Sequence, residues 1–96
     1  MVTWFFDSIG NPIAFAIDNA VWSIKGRYIG YLLGNEIWNG EYMGEVVYRN
    51  RLLYNRVAIH TSKGQRTYLP PPAIPITPIS EPSITLPGGY EDFKLE

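Results

Sequence analysis

The sequence predicts an all-β fold: four tandem β-hairpin units of about sixteen residues, followed by a proline-rich C-terminal extension. Phe6, Trp22, Trp38 and Tyr54 are aromatic and spaced sixteen residues apart, and Phe5, Val21, Ile37 and Leu53 keep the same period with apolar side chains. Each unit splits into two short β-type runs around a turn-forming, mostly Gly-containing stretch, the pattern of a hairpin. Helical periodicity is weak throughout, and Glu36–Tyr48 fits a helix only across glycine-adjacent turns. A unit this short cannot bury a face alone, so the units must share one core.

The first two units align without a gap, Phe6–Phe15 over Trp22–Tyr31, with Ile17 matching Leu33 and Asn19 matching Asn35. Asp18-Asn19 and Gly34-Asn35 join the units, residue types that tolerate positive φ in tight turns. In the third unit two turn residues are gone, leaving Asn39-Gly40, a pair that predicts a two-residue type I′ turn. An even deletion keeps later side chains on their faces. The wider joint Tyr48–Arg51 is expected to regain both residues and restore the period at Tyr54.

The fourth unit is degenerate. Tyr54-Asn55-Arg56-Val57 replaces Trp38-Asn39-Gly40-Glu41, and Ile59 falls where Met43 does. Ile13, Ile29, Met43 and Ile59 are thus apolar in every unit, and the next position is Ala14, Gly30, Gly44 and then His60. Recurrent small residues in strands mark a close approach, which places them at the tight middle of the assembly. The return strands alternate, with Ile13, Phe15 and Ile17 on one face and Ala14 and Ala16 on the other. Lost apolar bulk at Glu45, Thr61 and Lys63 predicts exposed outer ends in the last two units.

The repeat body is assigned to residues 1–69 and the extension to 70–96. Seven of the eight prolines lie in Pro70–Pro87. Pro72, Pro75 and Pro78 keep the three-residue period of polyproline II, which Ile76 and Ile79 share. The apolar residues Ile74, Ile76, Ile79, Ile84 and Leu86 favour packing on the chain's own Trp and Tyr surface, in cis or across a dimer. Docking on the aromatic groove of a partner is the alternative. Pro87-Gly88-Gly89 reads as a turn or hinge. Tyr90 and Phe93, three apart, suit one docked helical turn or a disordered end.

The Gly-x-Tyr-Ile/Met-Gly pattern at Gly26–Gly30 and Gly40–Gly44, the repeated units and the Ile-Pro-rich tail resemble the bacterial 4-fold beta flower domain family. The resemblance covers residues 4–64 and, more loosely, 70–87. It implies four hairpin units around a pseudo-four-fold axis, a count that matches the repeat. It brings no catalytic residue and no established activity.

Chemistry is sparse. The chain has 96 residues, no cysteine and a formal net charge of −1, which provides no thiolate and argues against a dedicated nucleic-acid binder. No apolar run reaches membrane-helix length. The first seventeen residues lack a basic region and are interrupted by Asp7, so no signal peptide is expected and a cytoplasmic location is the default. His60, the single histidine, has no second ligand-type residue near it in sequence, so a worn repeat position explains it better than catalysis. Asp7 and Asp18 align with Ser23, Asn39, Asn55 and Gly34, which marks them as turn residues. Ser8, Ser23 and Ser62 sit in no nucleophile pattern, and Gly88-Gly89 lacks the spacing of a phosphate loop.

One positive feature remains. No acid occurs from Val46 to Ser80, while Arg49, Arg51, Arg56, Lys63 and Arg66 gather around Tyr48, Tyr54 and Tyr68. Such interleaving suits an anionic ligand such as single-stranded nucleic acid, a lipid head group or an acidic peptide. Protection of a strand edge, or pairing with the acidic tail, explains the same charges without a ligand. The expectation is a non-enzymatic module without cofactor or metal that binds itself or another protein. An anionic-ligand binder using Arg49, Arg51, Tyr54, Arg56, His60 and Arg66 is the alternative, with a small enzyme behind it.

Overall fold

Short turns between β-type runs dictate a meander, and the computed structural model, which describes residues 1–57 and 66–94, is one. Its strands are β1 (Val2–Phe6), β2 (Pro12–Ile17), β3 (Ala20–Ser23), β4 (Tyr28–Leu33), β5 (Glu36–Trp38), β6 (Tyr42–Val47), β7 (Arg51–Asn55) and β8 (Tyr90–Asp92). Each pairs antiparallel with the next, and a single parallel bridge, Phe6 to Arg51, joins β1 to β7 and makes the sheet ring-like. The described residues contain no helix. The molecule is a disc, 35 × 34 × 23 Å, its two equal long axes being what a closed ring gives.

The apolar-then-small pattern has a local cause. Phe5 faces Ala14 but Phe6 faces Pro12; Val21 faces Gly30 but Trp22 faces Tyr28; Ile37 faces Gly44 but Trp38 faces Tyr42. Each return strand therefore carries one extra residue, Ile13, Ile29 or Met43, as a β-bulge. The bulge brings Ile13 into the same aliphatic cluster as Ala14 and Ala16, together with Phe5, Val21, Ile29, Ile37 and Leu52. Simple alternation, which set Ile13 opposite Ala14 and Ala16, fails there. The other face carries aromatic contacts: Trp4–Phe15, Phe15–Trp22 and Trp22–Tyr28 centroids lie 5.3, 5.9 and 5.8 Å apart.

The joint before β7 also differs from expectation. Leu33 faces Glu36 across the second joint and Val47 faces Arg51 across the third, so Gly34-Asn35 is matched by three residues, Tyr48-Arg49-Asn50. One residue is regained, not two. Left-handed backbone at Tyr48 (φ 52°) and Arg49 (φ 73°) accommodates it. Leu52 therefore takes the place of Ile37 in the cluster, and Tyr54 lies one step beyond the ladder position of Trp38. Asn39 is not left-handed, so the third turn is not type I′; Asn39 N–H instead donates to Glu41 O at 3.0 Å.

Residues 66–86 run over the hairpin turns in reverse order. Asn39 Oδ1 accepts the Thr67 N–H (2.6 Å), Trp22 Nε1 donates to Leu69 O (3.4 Å), and Glu81 N–H and Ile84 N–H donate to Gly10 O and Ser8 O (2.9 and 2.7 Å). The turn glycines Gly10, Gly26 and Gly40 are the contact points. A Cβ on Gly10 would sit 1.8 Å from Glu81 O, and one on Gly40 2.9 Å from Arg66 N. Burial along this strap has a period of three: Pro72, Pro75, Pro78, Glu81, Ile84 and Pro87 are half-buried and every residue between them is exposed. The period is the one that Pro72, Pro75 and Pro78 keep in the sequence. Ile76 and Ile79, which predicted self-packing, lie on an outward edge instead.

Beyond the strap, Tyr90–Asp92 forms β8, not a helical turn. It pairs Asp92 with Leu53, Glu91 with Tyr54 and Tyr90 with Asn55, without the bulge of β1–β2, β3–β4 and β5–β6. The seat beside Leu53–Asn55 therefore belongs to a distant segment. Ile59 and His60, the sequence candidates for the return strand of the fourth unit, lie outside the described residues, as do Thr61 and Lys63.

Candidate functional site

The β6–β7–β8 corner is where the distant strand β8 meets the repeat. Tyr42 begins β6 and Tyr54 lies in β7, with ring centroids 5.2 Å apart. With Met43 and Phe93 they wall a cavity of about 280 Å³, with Glu41 and Lys94 at its rim. A smaller cavity of about 70 Å³ shares Met43, Phe93 and Lys94 with it. Phe93 reaches this place because it follows β8 directly and packs on the aliphatic cluster over Gly44, where a Cβ would be 3.2 Å from the ring.

Behind the wall is a buried carboxylate. Glu45, expected at an exposed strand end, is only 7% exposed. Its Oε1 accepts the Tyr42 hydroxyl at 2.7 Å and its Oε2 accepts the Tyr90 hydroxyl at 2.6 Å. The Tyr42 oxygen in turn accepts the Asn55 N–H at 3.1 Å. Burial first, and then the hydrogen bond to Glu45, push the Tyr42 phenol far above its ordinary pKa. For Tyr90 the hydrogen bond to Glu45 comes first and burial second, in the same direction. A phenolate beside a carboxylate in a dry site repels it, so both phenols stay protonated donors. Glu36 faces Glu45 across β5–β6, and Trp38 Nε1 donates to Glu36 Oε1 at 3.1 Å. Aromatic donors thus hold both acids of this pair. Such a site fixes a strand, because each oxygen of Glu45 receives one phenol.

Asp92 ties the corner to the first turn. Its two carboxylate oxygens accept Ser8 N–H and Ser8 Oγ–H, both at 2.7 Å. In the second unit the equivalent amide, Ile24 N–H, donates to a backbone carbonyl, Ile13 O, at 2.9 Å. At Ser8 a side chain thus stands in for a backbone group.

The residues singled out in the sequence are spread widely. Arg51 is 5% exposed, and its guanidinium donates to Pro82 O (2.6 Å), Asp7 O (3.1 Å) and Asn50 Oδ1 (3.2 Å). It clasps the strap to the ring. Arg56 faces Glu91 at 3.8 Å and Arg66 faces Glu41 at 2.6 Å, both at the surface. Arg49 is exposed in the joint, and Tyr54 lines the larger cavity. His60 falls outside the described residues. Asp7 Oδ1 accepts the N–H groups of Gly10 and Asn11 in its own turn, at 2.9 and 2.8 Å. Tyr42, Glu45, Tyr90 and Asp92 were missed, because only the 35-residue return of the chain to Asn55 brings them together. Their single sequence signal was the aromatic pair Tyr90 and Phe93.

No helix among the described residues is long and apolar enough to cross a membrane. Compared with family models, with curated proteins and with solved structures, the chain matches none of them.

Proposed function

We propose that the chain is a non-enzymatic β-repeat module that acts by binding or assembly. Its units are set around a pseudo-four-fold axis as in the 4-fold beta flower family it resembles, and the proline-rich strap presents a ridge to a protein partner, a second copy first of all. The observation that carries this is the split of the strap into two edges. The inward edge is tied down at the hairpin turns, while Ile76 and Ile79 on the outward edge are 94% and 87% exposed. A polyproline II segment is already extended and stiff, so an apolar pair on it docks at small entropic cost.

Sedimentation of the full chain against the Ile76→Ser/Ile79→Ser variant tests this. Concentration-dependent association lost in the variant, with an unchanged β-type circular dichroism spectrum, is expected; the same association in both sinks the ridge. The anionic-ligand alternative has less support, since Arg51, Arg56 and Arg66 already have partners within the chain. Salt-sensitive retention on heparin that disappears with Arg49→Ala would favour it.

A further inference from the structure

We infer that the seat of β8 is a peptide-recognition groove. It accepts an extended strand in which a hydroxyl-bearing aromatic, a spacer, a carboxylate and an aromatic follow one another. Tyr90–Phe93 fills it here in cis, and the same segment of a second copy is its other occupant. Each position has its own receptor. Glu45 takes the Tyr90 hydroxyl, Ser8 takes both oxygens of Asp92, and the surface over Gly44 takes the Phe93 ring. Glu91, the spacer, reaches only an exposed pairing with Arg56. Backbone pairing with Leu53–Asn55 supplies affinity and the three side-chain receptors supply selectivity, the logic of strand addition to a sheet.

Three further observations mark β8 as an added strand and not a hairpin arm. It lacks the bulge that the pair inside each of the first three units carries, β1–β2, β3–β4 and β5–β6. It follows a glycine joint: Gly88, around which a Cβ would meet nothing within 4 Å, and Gly89 at φ +84°, which turns the chain against Val57 and accepts the Arg56 N–H at 2.8 Å. The cavity beside Phe93 leaves the groove incompletely filled. The chain itself carries a segment that matches all three receptors, so a second copy is the partner this chemistry selects. This deepens the assembly proposed above by naming a second contact, and it rests on that proposal only for the dimer.

The test uses the full chain with a protease site placed between Gly88 and Gly89 and cut after folding. A fluorescent peptide of residues 89–96 is then exchanged into the groove and followed by anisotropy. The wild-type peptide is expected to exchange and bind. Tyr90→Phe and Asp92→Ala peptides should bind at least about tenfold more weakly, the loss of a charge-assisted hydrogen bond. A Glu91→Ala peptide should stay within about threefold, as befits an exposed pair. Equal binding of all four peptides, no exchange into a folded body, or loss of β structure on cutting each overturns the groove. In the uncut chain, a dimer abolished by Asp92→Ala but retained in Ile76→Ser identifies the second-copy strand. A dimer indifferent to Asp92→Ala overturns that occupant, while failure of the ridge leaves peptide exchange untouched.

Discussion

The β1–β2 and β7–β8 pairs make similar ladders with very different connections. β1 reaches β2 across residues 7–11, whereas β7 reaches β8 across residues 56–89. Chain entropy alone makes the longer closure costlier by about 2 kcal/mol, taking the logarithmic dependence on loop length. The two ends are equipped accordingly. The short pair depends on its own turn, with Asp7 capping Gly10 and Asn11. The long pair has Tyr90 on Glu45 and Asp92 on Ser8, hydrogen bonds to charged groups worth about 1.5–3 kcal/mol each. Sequence-local strands are positioned by backbone geometry; a strand brought from afar needs side-chain anchors.

The severest way to break this contrast is at the first turn, where strap and hairpin touch. Gly10→Ala places a methyl group on Glu81 O and should cost about 3 kcal/mol in urea unfolding, against a few tenths for the open Gly34→Ala beyond its left-handed strain. Next is the clasp. Arg51→Ala removes the donor from Pro82 O and one of two from Asp7 O and should cost about 2 kcal/mol, while Arg49→Ala stays within about 0.5.

Tyr90→Phe should cost about 1.5 kcal/mol and sharpen the comparison through pH. Tyr42 and Tyr90 hold their protons above the ordinary phenol value of ~10, so the unfolded chain releases protons that the folded chain retains. Stability from these groups is full below about pH 10 and falls as pH rises through their raised folded values. Thermal unfolding between about pH 9 and 11.5 should show that fall, shallower in Tyr42→Phe. The smallest effect is expected at Ile76→Ser, within about 0.5 kcal/mol, because the side chain touches little of its own chain.

Much of the ring was legible from its residues. The period at Phe5, Val21 and Ile37 marks the side chains that build the aliphatic cluster, and the recurrent Ile13, Ile29 and Met43 mark the bulges, though not as bulges. Periodicity reports which residues recur, and it cannot tell an extra residue in a ladder from simple alternation. The same limit hid the three-residue joint at Tyr48–Asn50: Tyr54 kept the sixteen-residue count while Leu52 took the core position. Arg51 read as a surface charge because nothing local marks a guanidinium that ends on carbonyls 31 and 44 residues away.

The amino-acid sequence by itself determined the all-β class, the places of the first three hairpin turns and the three-residue spacing of prolines in residues 70–87. These follow from short-range rules: alternation, turn-forming residue types and the fixed φ of proline. Only the tertiary structure decided which strand sits beside β7, which edge of the strap faces inward, and that Glu45 is buried between two phenols. Those outcomes depend on contacts across tens of residues, where the free energy lies in closing the ring and satisfying its buried polar groups, and no local pattern encodes that balance.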